Sequence, residues 1–232
     1  MLDATGRLLG DVAGIFLPRC CAGCDQVLTR TEEAICGECL ADLPRLRAHD
    51  NPDNRVEQIF RGRIRLHAAS AFLQFTKEGM VQHMLHRLKY QGDTAVGLEL
   101  GRRMGGEAAQ SARFADADVL LAVPLHRNRL RQRGYNQAQV LVDGMHREWP
   151  GRRADAGLLR VVHTSTQTRR GRLARWGNVK AAFQLADARA LEGAHVLLVD
   201  DVVTTGATLE GCALALAGVP GIRISVLACA CA

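Results

Sequence analysis

Two adjacent carboxylates and a turn of small residues lie close together near the end of the chain. Asp200 and Asp201 follow four apolar residues at 196–199, a run that predicts a strand buried on both faces of a parallel sheet. Two more apolar residues precede a turn that leads into a helix-compatible run at 209–217. The turn consists of Thr204, Thr205, Gly206, Ala207 and Thr208. Backbone amides in such a turn can bind a phosphate, and the carboxylates can accept hydrogen bonds from hydroxyls, so the pattern indicates a site for a ribose 5-phosphate.

Two other classes of phosphate-handling protein do not fit this stretch. A P-loop NTPase requires GxxxxGK[ST], which the chain lacks. A receiver domain carries its paired acids on an early strand, whereas only 31 residues follow Asp201 here. A buried strand and a capped helix without a ligand is the remaining structural interpretation.

A second group of chemically competent residues is a cysteine cluster near the N-terminus. Five of the eight cysteines lie between positions 20 and 39, and four of them form C-x2-C-x11-C-x2-C: Cys21, Cys24, Cys36 and Cys39. Each pair forms a tight knuckle that directs two thiolates at one ion, and four thiolates complete the tetrahedron that zinc prefers. Such a zinc would be structural, because no coordination position stays open. Disulfides are the alternative, which a reducing compartment disfavours, and Cys20 could replace Cys21.

Cationic side chains are concentrated in the middle of the chain. Between 125 and 180 there are twelve arginines and one lysine against three acids. An apolar run at 119–124 predicts a strand, and the segment after it contains His126, Arg127, Arg129, Arg131 and Arg133. A cationic loop at the carboxyl end of a strand predicts an anion site, with a solvated basic turn as the alternative.

A second basic loop, with Arg169 and Arg175, follows a predicted strand at 158–162 and is long enough to form a mobile lid. Only three of the thirty basic residues are lysines. The arginine content can therefore also reflect genomic base composition.

Length and composition allow one sizeable domain and a small segment within 232 residues. No apolar run approaches eighteen residues, so we predict no membrane span. Because the N-terminus lacks a signal-peptide layout, we expect a cytoplasmic protein. The polar stretch at 45–65, broken by Pro44 and Pro52, predicts a boundary. We assign an N-terminal helix, the cysteine segment and a linker to 1–60, and an α/β domain to 61–232.

Strand and helix patterns alternate through the larger part. Besides 119–124, 158–162 and 196–199, we predict strands at 67–75 and 222–228, and helices at 81–90, 97–112, 136–145 and 209–217. This alternation predicts an α/β fold with a parallel sheet flanked by helices. His83 and His86 share one helix face, where packed or solvated histidines are a better interpretation than a metal pair.

These motifs resemble the ComF/GntX group of bacterial proteins, in which a cysteine zinc finger precedes a type I phosphoribosyltransferase-like domain. The matching segments are the cysteine knuckles, HRLKYQGD (86–93), VPLH (123–126), RQRGYNQA (131–138), LLR with the later TSTQ and RWGNV (158–179), and VDDVVTTGAT (199–208). The last of these resembles the phosphoribosyl-pyrophosphate signature. The N-terminal helix, the linker and 145–157 lie outside the match.

The resemblance implies a ligand site. The 204–208 turn would hold the 5-phosphate, and Asp200 and Asp201 would accept hydrogen bonds from the ribose hydroxyls. Mg²⁺ would be held mostly by ligand oxygens and water. His126 and Arg127 would contact the pyrophosphate, and the loop with Arg169 and Arg175 would close over the leaving group. No catalytic nucleophile or base is identified, and no hood segment identifies an acceptor.

Two functional hypotheses follow from the resemblance, which also implies a role in DNA uptake during natural transformation. The first is a phosphoribosyltransferase that acts on an unknown acceptor. The second is a non-catalytic competence factor that binds single-stranded DNA or a DNA-processing protein and keeps the fold as a ligand sensor. The zinc finger and the basic middle of the chain would suit nucleic acid.

Overall fold

The computed structural model describes residues 18–149, 152–153, 157–161 and 182–232. Within this part, five parallel strands form a sheet in the order β1-β7-β6-β2-β3. Their bounds are β1 Ala68–Gln74, β2 Val119–Ala122, β3 Arg152–Arg153, β6 His195–Val203 and β7 Arg223–Cys231. The predicted α/β fold with a parallel sheet is confirmed.

Seven α-helices accompany the strands in the described residues. They are α1 Gly37–Ala41, α2 Arg55–Phe60, α3 Met80–Tyr90, α4 Thr94–Ala108, α5 Arg127–Arg133, α6 Gln137–Met145 and α7 Ala207–Leu216. Helices α4 and α6 approach closely, since a Cβ atom at Gly101 would lie 2.1 Å from the carbonyl oxygen of Leu141. None of the helices in the described ranges is long and apolar enough to span a bilayer.

The apolar run at 196–199 is fully buried, as expected for a central strand. The strand itself is longer than the sequence predicts, because Asp200, Asp201 and the next two residues belong to β6. Val202 and Val203 pair with Ala230 and Cys231 of β7, which extends the ladder past the acids.

Strand β6 extends further than β2, its neighbour on the other side, and this difference in length creates the crevice of the sheet. Strand β2 ends at Ala122, opposite Val199, so the register between β2 and β6 stops just before Asp200. A last hydrogen bond joins the amide of Val123 to the carbonyl of Val199 at 2.9 Å. The next residues, Pro124 and Leu125, line a cavity together with Asp200. In open α/β sheets, ligands bind in a crevice of this kind.

Two segments differ from their sequence predictions. The segment after β2 is not a loop, because Arg127–Arg133 form helix α5, none of whose residues is buried. The predicted strand at 158–162 is shorter, β4 Leu158–Arg160, and pairs antiparallel with β5 Phe183–Leu185 in a separate two-stranded sheet. The pattern of one strand does not reveal which strand it pairs with. Pairing with β5 places β4 outside the main sheet.

The stretch interpreted as a linker contains ordered structure. Asn54 caps α2 through hydrogen bonds from the amides of Val56 and Glu57, and its Nδ2 donates to the carbonyl of Ala69 in β1 at 2.8 Å. Val56 and Phe60 are buried in the same core as the sheet. The division of the chain at residue 60 stays a prediction.

Candidate functional site

Asp200 and Asp201 lie side by side where β6 passes the end of β2. The backbone amide of Asp201 donates to Oδ1 of Asp200 at 2.9 Å. Burial, together with the neighbouring charge of Asp201, raises the pKa of Asp200 to about 8. The two adjacent acids therefore differ: Asp200 holds a proton near neutral pH, whereas Asp201 has a cationic partner.

That partner is Lys89, whose Nζ lies 3.0 Å from Oδ2 of Asp201. Lys89 is at the C-terminal end of α3, and both side chains of the pair are mostly shielded from solvent, at 23% and 17% exposed. We did not assign Lys89 to the site from sequence. A signal was present, because it is one of only three lysines in an arginine-rich chain.

The predicted phosphate turn follows directly from the end of β6. Gly206 has φ +73°, and Ala207 begins α7. A Cβ atom at Gly206 would lie 2.7 Å from Ile59 Cγ2 and from Phe60 Cε1, so helix α2 packs against the turn. Residues 202–209 line a small recess together with Asp200. The amides of the first turn of any helix lack intrahelical acceptors, so this recess offers donors to an anion.

Arg63, which lies outside the phosphate turn, also contacts it. Arg63 donates to the carbonyl oxygen of Thr205 at 2.7 Å and forms an ion pair with Glu210 of α7. Arg63 and helix α2 therefore hold the turn in its present conformation before any ligand binds.

The cavity next to the acids has a volume of about 240 Å³, and its charged side chains are four cations and two carboxylates: Lys89, Arg129, Arg133, Arg160, Asp200 and Asp201. Arg129 and Arg133 are four residues apart on α5, which places them on one helix face. A second cavity of about 410 Å³ shares Lys89, Arg129 and Arg133 with the first. The excess of positive charge makes both cavities suitable for a polyanion.

Gln137 is a further cavity residue that sequence reasoning missed. Its side chain is 1% exposed, and its Oε1 accepts a hydrogen bond from Arg133 at 2.7 Å. Its Nε2 has no hydrogen-bond partner among the described residues. A buried amide donor without a partner carries an energetic cost that a ligand oxygen would offset. No sequence signal identified it, because a glutamine in the first turn of a helix is common.

Four residues predicted to contact the pyrophosphate or to close over it have different outcomes. His126 caps α5 by accepting a hydrogen bond from the amide of Asn128, and Arg127 is the first residue of that helix and is exposed. Both follow the cavity residue Leu125 along the chain, but neither is among the residues that line the two cavities. Arg169 and Arg175 lie outside the described residues.

The four predicted metal ligands come together. The sulfurs of Cys21, Cys24, Cys36 and Cys39 all lie within 4.8 Å of one another, and Cys24 Sγ is 3.8 Å from Cys36 Sγ. Sulfurs around a tetrahedral zinc with Zn–S bonds of about 2.3 Å would lie about 3.8 Å apart. All eight cysteines are free thiols, and Cys20 lies outside the cluster, with its Sγ directed to the carbonyl of Pro18. The cluster can therefore bind a metal such as zinc.

The cysteine cluster contains thiolate-stabilising contacts of its own. Amides of Gly23 and Cys36 donate to Sγ of Cys21 at 3.3 and 3.2 Å. Although burial opposes them, these hydrogen bonds lower the pKa of Cys21 to about 7. Burial and the other three sulfurs raise the pKa of Cys39. A divalent cation would relieve this crowding of four sulfurs, because metal ligands bind as thiolates.

The cysteine segment is connected to the acidic site through helix α3. Arg87 of α3 donates to the carbonyl oxygen of Cys21 at 3.1 Å and forms an ion pair with Asp93. A Cβ atom at Gly23 would lie 2.9 Å from Met84 Cε, so the knuckle packs directly on the same helix. Because α3 also carries Lys89, the cysteine segment helps to position the cation that contacts Asp201.

Comparison with known proteins identifies relatives that cover most of the chain, although no family model matches it. The DNA utilization protein YhgH of Shigella flexneri is 28% identical over 192 residues, 82% of this chain and 80% of that protein. Competence protein ComFC of Bacillus subtilis is 27% identical over 199 residues, 79% and 78% of the two chains. Competence protein F of Haemophilus influenzae is 32% identical over 131 residues, 55% and 57% of the two chains.

The similarity to these competence and DNA utilization proteins supports the ComF family. The resemblance identified from the motifs is thereby confirmed, and the parallel sheet and the four-cysteine cluster are those expected of a ComF-family protein. A solved structure, that of the allosteric regulatory enzyme of purine biosynthesis, is 20% identical and covers 56% of this chain and 25% of that chain. Its TM-score is 0.35, too low to carry an argument about this protein.

Proposed function

We propose that this protein binds phosphoribosyl pyrophosphate together with Mg²⁺ at the carboxyl end of β6. The observation that carries the proposal is the continuity of the site. Asp200, Val202 and Thr208 line both the recess of the phosphate turn and the cationic cavity beside it. A ribose lying over the acids would therefore have its 5-phosphate on one side and its pyrophosphate on the other.

In this arrangement the turn at 204–208 would bind the 5-phosphate of the ligand. Residues at the start of α7 line the recess, and the dipole of this ten-residue helix favours an anion at that end. Asp200 and Asp201 would orient the sugar by accepting hydrogen bonds from its hydroxyls. Lys89 contacts Asp201 in the free protein, so ligand binding must share or replace that ion pair.

The donor set of the cavity fits a magnesium complex of the ligand better than a bare cation. Four cationic side chains outnumber two carboxylates there, and Asp200 holds a proton near neutral pH. Mg²⁺ that enters with phosphoribosyl pyrophosphate would be held mainly by phosphate oxygens and water. When bound, it supplies neutralisation of the pyrophosphate charge. We therefore expect no binding of Mg²⁺ without the ligand.

The protein side chains would contribute positioning and charge stabilisation. Arg129 and Arg133 face the cavity from one side of α5, and the unpartnered Nε2 of Gln137 can donate to a ligand oxygen. Transfer of a phosphoribosyl group needs little covalent help, since orientation and electrostatics supply most of the rate. The acceptor is not assigned. His126, Arg127, Arg169 and Arg175 stay predicted contacts of the pyrophosphate and the lid.

Calorimetric titration with phosphoribosyl pyrophosphate, with and without Mg²⁺, tests this function. We expect saturable binding that requires Mg²⁺ and that falls in the Asp200→Asn/Asp201→Asn double variant. Ribose 5-phosphate alone should bind more weakly, because it lacks the pyrophosphate that the cationic cavity suits. No binding by folded wild type up to millimolar ligand would contradict the proposal. Pyrophosphate release with candidate acceptors then separates a transferase from a ligand sensor.

A second candidate function is DNA handling without catalysis. It is favoured by the exposed face of the cavity of about 410 Å³. Tyr90 is 65% exposed, and the guanidinium of Arg133 lies 5.2 Å from its ring centroid. An exposed aromatic ring beside arginines is a common platform for single-stranded nucleic acid. The names of the relatives, a DNA utilization protein and two competence proteins, support a role in competence or DNA utilization for this protein as well. DNA uptake and a cytoplasmic location stay predictions.

We also propose that the cysteine cluster binds one structural Zn²⁺. The sulfur spacing and the amide hydrogen bonds to Cys21 support this assignment. Its role would be to fix the knuckles that pack on α3. Loss of the ion should therefore weaken the positioning of Lys89 as well as the fold of the segment.

A further inference from the structure

A second group of metal-ligating side chains lies at the opposite edge of the sheet from Asp200. His195 is the first residue of β6, His67 directly precedes β1, and Asp116 lies in the connection before β2. One ligand atom from each of the three residues lies within 4.8 Å of the others. His195 and Asp200 are five positions apart on β6, roughly 16 Å. The group is therefore separate from the phosphoribosyl site.

We propose that His67, Asp116 and His195 form a second binding site, for a divalent transition-metal ion of the zinc or cobalt type. Two imidazoles and one carboxylate are the donors that such ions accept. The inference goes beyond the proposed function and does not depend on it.

The spacing of His195, which is buried, and Asp116, whose side chain is 50% exposed, fits one ion. Nδ1 of His195 lies 2.9 Å from Oδ1 of Asp116. Two ligand atoms, each about 2.0–2.1 Å from an ion, lie about 2.9–3.4 Å apart for angles between a right angle and the tetrahedral value. In the free protein the same distance is spanned by a hydrogen bond. An ion at this position would replace the shared proton without moving either side chain far.

The surroundings already orient both of these residues. The ring of His195 is 0% exposed, and its Nε2 lies 2.8 Å from Oγ of the buried Ser225. With an ion on Nδ1, the Nε2–H would donate to that hydroxyl. Oδ2 of Asp116 accepts a hydrogen bond from Arg223 at 2.8 Å, which leaves Oδ1 directed at His195. Metal-binding histidines and carboxylates in proteins usually have outer partners of this kind.

The third ligand and the entry path lie on the solvent side. His67 is exposed, its ring packs edge-on against His195 with centroids 4.8 Å apart, and its backbone is anchored to Ile224 of β7. A cavity of about 550 Å³ is lined by His67 and Arg223 and gives access from solvent. A modest rotation of an exposed ring is enough to bring its nitrogen to an ion held by the other two ligands.

The test adds Co²⁺ to the zinc-loaded full-length protein and records its absorption spectrum and stoichiometry. We expect one additional Co²⁺ per chain, with the weak bands of nitrogen and oxygen ligands. Exchange at the cysteine cluster would instead produce strong thiolate-to-cobalt charge-transfer bands. His67→Ala should abolish the additional binding, and Ser225→Ala should weaken it roughly 10- to 100-fold, as outer-partner substitutions do. His146→Ala, which removes an exposed histidine elsewhere, should leave it unchanged.

Several results would overturn the proposal. One is the absence of additional Co²⁺ up to millimolar concentration, which would leave the three residues as a structural hydrogen-bond network. Another is a signal consisting only of thiolate bands. A third is unchanged binding by His67→Ala, which is suitable for this comparison because the exposed ring can be removed without opening the core. Thermal unfolding of each variant without cobalt confirms that the fold is intact.

Discussion

Replacing Asp200 with asparagine should stabilise the free protein while weakening its ligand binding. Burial, reinforced by Asp201, raises the pKa of Asp200 to about 8 in the folded state, whereas an unfolded chain has an aspartate pKa of about 3.9. Between these values the folded protein binds a proton that the unfolded chain has released. The contribution of Asp200 to the unfolding free energy therefore falls as the pH rises from about 4 to about 8. Asparagine does not titrate and avoids this loss.

The size of the effect follows from the shift and from the position of the residue. Each pH unit in that interval corresponds to about 1.4 kcal/mol, which gives an upper limit of about 5–6 kcal/mol. Asp200 is only partly buried and lines a cavity open to water, so solvent screening reduces this limit, and we expect about 2 kcal/mol at pH 8. For a protein of this size, that corresponds to an increase in Tm of roughly 4–8 °C.

The assay is thermal unfolding of wild type and Asp200→Asn without ligand at several pH values from 5 to 8. The difference in Tm should be smallest at pH 5 and grow with pH. The amide oxygen of asparagine can still accept the hydrogen bond from the Asp201 amide, so the local backbone is preserved. Asp42→Asn, which neutralises an exposed carboxylate, is the control and should show no such trend.

Asp200→Asn should also bind phosphoribosyl pyrophosphate more weakly than wild type. Above about pH 8, where Asp200 is ionised, loss of a charge-assisted hydrogen bond to a ribose hydroxyl should cost about 1.5–3 kcal/mol, which is roughly a 10- to 150-fold loss of affinity for phosphoribosyl pyrophosphate. A variant that is destabilised at pH 8, or whose Tm difference does not depend on pH, would refute the reasoning about burial. A stabilised variant with unchanged affinity would instead refute the ligand role of Asp200.

Three further predictions concern other parts of the protein. Purified protein should contain about one zinc per chain, and Cys36→Ser should lose it; zinc that survives this change, measured by metal analysis, would contradict the four-cysteine site. Gly206→Val should lower both Tm and ligand affinity, because its side chain would meet Phe60 and Ile59 at a positive φ; unchanged calorimetry would show that the turn does not hold the phosphate. If the cationic surface around Tyr90 and Arg133 binds single-stranded DNA, affinity should fall steeply as the salt concentration rises. Arg133→Ala should reduce the slope of log affinity against log salt concentration by about one. An affinity that does not depend on salt would exclude phosphate contacts.

The short helix α5 shows why part of the cationic wall was not predictable. Its arginines recur at every second residue from 127 to 133, and none of its residues is buried. A helix without an apolar face has no hydrophobic periodicity, so the segment was interpreted as a loop. Once it is helical, Arg129 and Arg133 share a face, and both line the cavity, whereas Arg127 is not among the residues that line it.

The relation between the acids and their cation could not be found by pattern either. Lys89 lies in a helix far from Asp201 in sequence, and the packing of the cysteine knuckle on α3 places it there. Gln137 lies in the matching segment RQRGYNQA, but the motif assigns it no role, and only its burial reveals an amide donor without a partner in the described residues.

The sequence by itself determined the buried strand, the two acids at its end, the phosphate turn and the four-cysteine cluster. Each of these depends on contiguous residues whose spacing alone brings the groups together. The tertiary structure decided how far β6 extends past β2, which opens the cavity, and which cations face it. It also joined His195 to Asp116 across 79 residues. These relations depend on which elements pack together, and packing is selected by the burial of the whole core rather than by any local pattern.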